Sequence, residues 1–280
     1  MYFDNSRLYI AYTTNIEGSW SVYTYGTTAT SDSKIVYSNS LYWIITRYDK
    51  KIYYAYSTSI AGTYTSSYIS ISYNITNFAL AYTDKAIALH GSYSGYNNGC
   101  GVKINTVAKT AIAIDKTASQ FYSRSSIAYT DGTYLYFGYH NWNGDYFKIM
   151  KYAYDGTTAI ETYEIDDEES PLPINYDTLT AWYYNGYFYL FSPYSGKILK
   201  SSSWKFDTIV KTFQIIASGS LTDSHYFQGC YFINNKDEIF VSTRSAHFES
   251  SGANSYYCKM VATLPNISFI NAKAYIKASS

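Results

Sequence analysis

The segment LYIAYTTNIEGSWSVYTY, residues 8–25, returns at residues 52–69 as IYYAYSTSIAGTYTSSYI. Leu8 falls on Ile52, Tyr12 on Tyr56, Gly18 on Gly62 and Trp20 on Tyr64. The spacing is about 44 residues, the period of a propeller blade or another repeat array. In each copy two runs rich in Tyr, Ile, Ser and Thr flank a short polar turn with Gly, which is the pattern of a β-hairpin. One hairpin cannot bury its apolar face alone, so a chain of such units must stack them.

The same texture extends through the chain. Runs of about six to ten residues alternate apolar with polar, and no long segment places apolar residues at i, i+3, i+4 and i+7. The runs group in fours. A half group with strands near residues 7–13 and 19–26 comes first, and fuller groups follow at 34–72, 77–115, 125–165, 177–217 and 225–277. The third and fourth open alike, on Ala81-Tyr82-Thr83-Asp84 and Ala128-Tyr129-Thr130-Asp131. YYNGYFYLF, residues 183–191, turns at Asn185-Gly186, a type I′ hairpin signal. The expectation is one all-β domain over residues 1–280, a β-propeller of five or six four-stranded blades, with ring closure left open.

Composition narrows the function classes. With 21 basic and 21 acidic residues, no global field favours nucleic acid or an anionic membrane. Tyr is the outlier at 37 of 280 residues, and it fits both half-exposed strands and adaptable contact surfaces. Cys100, Cys230 and Cys258 are odd in number and far apart, which argues for buried thiols rather than a disulfide framework or a zinc motif. No run of about 18 apolar residues is long enough for a membrane-spanning helix. The start, MYFDNSRLYI, lacks the basic and apolar regions of a signal peptide. The acidic run Asp166-Asp167-Glu168-Glu169 reads as a solvated loop between blades.

In a blade whose first strand lines the axis, loops joining strands two and three share a rim with the loops between blades. That rim collects all four histidines, His90, His140, His225 and His247, with Arg47, Arg124 and Arg244. Tyr93, Tyr96, Trp142 and Asp145 fall on the same loops. Arginine forks bind carboxylate, sulfate or phosphate, aromatic rings suit sugar faces, and His90 or His140 offers acid/base chemistry near neutral pH. These residues are the candidate ligand set. The opposite rim receives mainly Asn, Ser, Thr, Gly and Lys turns.

No phosphate-binding glycine loop, dinucleotide fingerprint, H-E-x-x-H or G-x-S-x-G motif occurs. The histidines lack metal-ligand spacing, so neither a metal nor a cofactor is expected.

Residues 13–20, 57–64 and, more loosely, Lys200-Ser201-Ser202-Ser203-Trp204 resemble the turns between third and fourth strands in sialidase-like and arabinanase/xylosidase-like propellers. The sialidase Asp-box reads roughly S-x-D-x-G-x-x-W; Asn15 and Ser59 stand at its Asp. In those families the turns are structural and lie away from the active site. By resemblance, Arg47, Arg124 and Arg244 would imitate the sialidase arginine triad, although the early Arg-Ile-Pro segment is missing. Asp84 and Asp131 end inner strands, as two arabinanase acids do, on the rim opposite the ligand set. The Tyr-rich composition also looks like that of receptor-binding modules of phage tail fibres and adhesins.

The expected function is therefore non-catalytic binding of a glycan or cell-surface polymer, by an extracellular or virion-associated module. The alternatives are a carbohydrate-active hydrolase or lyase, which needs two positioned carboxyl groups or a His/Tyr pair, and a protein-docking scaffold.

Overall fold

The computed structural model of the chain describes residues 2–4, 7–12, 19, 21–25, 33–71, 75, 77–92, 99–115, 123–141, 146–166, 179–192, 197–214, 228–233, 239–244, 255–260 and 272–273. These form six antiparallel sheets, each a meander in chain order. The first holds β1 (Tyr2–Asp4), β2 (Arg7–Tyr12) and β3 (Ser21–Tyr25). The second holds β4 (Lys34–Ser38), β5 (Leu41–Tyr48), β6 (Lys51–Ser57) and β7 (Thr65–Ser70). The third holds β8 (Asn77–Tyr82), β9 (Ala86–Ser92), β10 (Gly99–Asn105) and β11 (Thr110–Asp115). The fourth holds β12 (Ser123–Thr130), β13 (Tyr134–Asn141), β14 (Tyr146–Ala153) and β15 (Ala159–Asp166). The fifth holds β16 (Thr180–Tyr184), β17 (Tyr187–Ser192), β18 (Lys197–Ser201) and β19 (Ile209–Gln214). The sixth holds β20 (Gln228–Ile233), β21 (Ile239–Arg244), β22 (Ser255–Met260) and β23 (Ala272–Lys273).

The repeat that opens the sequence is a repeat of pairing. Leu8 lies opposite Tyr25 in the first sheet, and their matches Ile52 and Ile69 lie opposite each other in the second. The expected half group gains a third strand, because β1 pairs with β2 through Asp4 opposite Arg7. Three residues are too few to display alternation, which is why the sequence did not announce this strand.

From the first sheet to the fifth, successive sheets pack face to face, and each pair shares its own apolar cluster. Leu8 and Ile10 of the first sheet meet Ile44 of the second. Trp43, Ile45 and Ile52 of the second meet Phe78, Leu89 and Val102 of the third. Ala79 and Ala88 of the third meet Phe137, Tyr139 and Met150 of the fourth. Ile127, Tyr129 and Phe147 of the fourth meet Leu190, Leu199 and Phe206 of the fifth. The first strands β8, β12, β16 and β20 run next to one another, which sets them on the inside. This is a β-propeller, with five four-stranded blades and one three-stranded blade among the described residues.

The turns hold the blades together. Tyr23 of the first blade donates to the carbonyl of Gly62 in the turn between β6 and β7, at 2.9 Å. Asn39 and Tyr54 of the second reach the carbonyls of Thr106 and Lys109 between β10 and β11. Lys103 of the third, a buried lysine, donates to the carbonyls of Tyr154 and Gly156 between β14 and β15, at 2.9 and 2.7 Å. Tyr129 of the fourth donates to the carbonyl of Trp204 between β18 and β19. Each of the first four blades thus grips the third-to-fourth turn of the next.

Asn185 and Gly186 have φ of 48° and 82°, the left-handed pair that a type I′ turn requires. The tetrads Ala81–Asp84 and Ala128–Asp131, by contrast, are one residue out of structural step. Thr83 Oγ1 accepts the backbone N–H groups of Lys85 and Ala86, and in the next blade that part is taken by Asp131 Oδ1, which accepts those of Thr133 and Tyr134. A one-residue slip in a strand moves a side chain to the other face. Tyr129 is accordingly buried against the fifth blade, whereas Tyr82 is exposed.

Candidate functional site

The inner strands β8, β12 and β16 end together on the rim that carries the first-to-second and third-to-fourth turns. Between them lies a cleft of about 560 Å³. The third blade contributes Tyr82 and the turn Thr83-Asp84-Lys85, and the fourth contributes Thr130, Asp131 and Tyr154. Tyr183 closes the side given by the fifth blade, over a floor of Ala81, Ala181 and Tyr129.

Local bonding fixes most of this wall. Asp131 Oδ1 accepts two backbone N–H groups at 2.8 and 2.7 Å, and its Oδ2 accepts the Tyr136 hydroxyl at 2.7 Å. Both oxygens are therefore engaged in holding the turn. Thr83 Oγ1 and the Tyr154 hydroxyl lie 2.6 Å apart and share a hydrogen bond across the blade boundary. The Tyr183 ring packs on Phe188 at 4.9 Å. Lys85 stands over the Tyr154 ring, with Nζ 5.7 Å from its centre. Asp84 is exposed, and its carboxylate has no hydrogen bond or ion pair among the described residues.

Partial desolvation within the cleft raises the pKa of the Tyr82 hydroxyl, and desolvation is the main cause raising that of Tyr154. Both stay neutral donors at physiological pH. The cleft thus combines partly exposed aromatic rings, neutral hydroxyls, one unengaged carboxylate and one ammonium group. Such a surface can stack on an apolar ring face while exchanging hydrogen bonds at its edge.

Of the ligand set expected from sequence, the described members Arg47, Arg124, His140 and Arg244 lie toward the other rim. Arg47 is half-buried near the end of β5, and Arg124, His140 and Arg244 occupy strand positions at the matching edges of β12, β13 and β21. Tyr93, Tyr96, Trp142, Asp145, His225 and His247 lie outside the described residues, and the acidic run continues outside them beyond Asp166 at the end of β15.

His90 needs a correction of place. It was expected in a loop, but it belongs to β9 and is fully buried. Its ring stacks on Tyr139 at 5.8 Å and lies 5.9 Å from Phe137, and neither ring nitrogen has a hydrogen-bond partner among the described residues. Burial lowers its pKa to about 4, so the imidazole is neutral at pH 7.

The cleft was not singled out from the sequence. Its signal was present in the doubled Ala-Tyr-Thr-Asp tetrad at the ends of two inner strands. No metal-ligating cluster of His, Cys, Asp or Glu occurs among the described residues.

No protein-family model matches the sequence, and a search of curated proteins finds no match. Solved structures do match in fold. The chain is similar to the Dos1 propeller, with a TM-score of 0.53 and 11% identity over 91% of this chain and 65% of that one. It is similar to a functionally unknown protein from Desulfotomaculum acetoxidans, with a TM-score of 0.56 and 6% identity over 94% and 75%. A candidate 6-phosphogluconolactonase from Bacteroides uniformis gives a TM-score of 0.52 and 11% identity over 95% and 82%. The chain spans 65% of the length of the Dos1 propeller. At these identities the likeness is one of fold.

Proposed function

We propose that this propeller binds glycans or a cell-surface polymer, and that it does so in the cleft at the ends of β8, β12 and β16. The observation that carries the reading is the company of Tyr82, Tyr154 and Tyr183 around an unengaged Asp84 carboxylate. Aromatic rings beside a carboxylate offer a sugar both a flat apolar contact and an acceptor for its hydroxyls. Hydrolysis is the rival reading, and it asks for two working carboxyl groups. Asp131 has both oxygens committed to its own turn, which favours binding over hydrolysis. A module displayed outside a cell or on a virion suits such a role.

The test is a broad glycan array followed by calorimetry on the best ligands. Tyr82→Ala and Tyr183→Ala are expected to weaken binding by about tenfold or more, since stripping a ring from a sugar contact removes on the order of 1.5 kcal/mol. Arg47→Ala on the other rim should leave affinity unchanged. The reverse pattern moves the site to that rim, and a blank array ends the reading. Release of reducing ends from the bound polymer would restore the hydrolase.

A further inference from the structure

Resting on that reading, we infer that the cleft selects uncharged, hydroxyl-rich sugars over acidic ones, with Asp84 and Lys85 as the pair that decides. Among the described residues, the charged groups lining the cleft are Asp84, Lys85 and Asp131, with no arginine or histidine beside them. Asp131 contributes negative charge but no free oxygen. Asp84 is an acceptor only, so it calls for hydroxyl or amide donors. Lys85, its chain neighbour, is a donor only and is also exposed. Two adjacent sugar hydroxyls satisfy this pair at once, because each hydroxyl both donates and accepts. A uronic or sialic acid brings a carboxylate instead. It would meet two carboxylates against one ammonium, without the guanidinium fork that binds carboxylates in two-point geometry.

The preference would be invisible in the overall charge, which is balanced. It arises from placement, and it opposes what the arginine-bearing rim would select.

The experiment compares oligosaccharides of galactose and of galacturonic acid, matched in length, by calorimetry at low ionic strength on the full chain. Tighter binding of the neutral series, by about tenfold or more, is the expected result. Asp84→Asn keeps the shape and removes one charge. It should narrow the gap by strengthening uronate binding, while Lys85→Ala should weaken the neutral series. Circular dichroism on both variants checks that they fold, and both side chains are exposed. Equal or tighter binding of the uronate series overturns the inference while leaving glycan binding intact. A gap that Asp84→Asn leaves unchanged overturns it too. Failure of every glycan on the array removes the parent reading and this inference with it.

Discussion

His90 shows how much one buried side chain can cost. A neutral imidazole has a donor and an acceptor, and against the rings of Phe137 and Tyr139 neither finds a hydrogen-bond partner among the described residues. Its pKa is held at about 4, while an unfolded chain binds that proton near 6.5. As pH falls through this window the unfolded state takes up a proton that the folded state refuses, so stability drops. The loss approaches about 3 kcal/mol by pH 4, at 1.4 kcal/mol per unit. His90→Phe should flatten this slope and raise stability at pH 7, because an aromatic ring fills the space without unpaired polar atoms. Urea unfolding of both proteins between pH 7.5 and 4.5 checks it, and identical slopes would show that His90 finds a proton partner. The sequence showed a histidine near a loop. It could not show that the strand runs on to Ser92 and carries the ring inward.

At the scale of strands and turns, the joints between blades carry the stability argument. Lys103 places a charged donor on two carbonyls of the next blade, and burial lowers its pKa while Asp155 partly offsets this. Charged hydrogen bonds of this kind contribute about 1.5–3 kcal/mol each way they are measured. Lys103→Met keeps the stem and removes the donor, and a loss of about 2 kcal/mol is expected. Tyr129→Phe, which strips the bond to the Trp204 carbonyl and leaves the ring, should cost about 1 kcal/mol. Denaturant midpoints for the two variants and the parent decide both. The hairpins themselves were legible: alternation located each strand group, and Asn185-Gly186 gave its turn outright. The slipped tetrad was not. Thr83 and Asp131 perform the same capping with different side chains one position apart, so matching letters misaligned matching roles.

For the whole molecule, the repeat made the propeller readable, because the period and the fourfold grouping admit few other ways to bury so many two-faced sheets. Apart from the doubled tetrad, the cleft was not readable, and the reason is physical. It is walled by tyrosine, of which the chain has 37, so no scarcity marks it, while four histidines stand out wherever they lie. The balanced charge yields one more expectation. With equal numbers of acidic and basic residues there is no long-range field to screen, so affinity for a neutral sugar should change by less than about threefold between 20 and 500 mM salt. Titrations at both salts measure it, and a steep decline would point to a charged ligand.

The directional grip of blade on blade, from Tyr23 through Lys103 to Tyr129, has a consequence for ancestry. The second, third and fourth modules each carry both a plug for the next blade and a carbonyl socket for the one before. A tandem copy of one module would therefore seat between its parents with ready-made joints, altering the circumference of the wheel while sparing its mode of assembly.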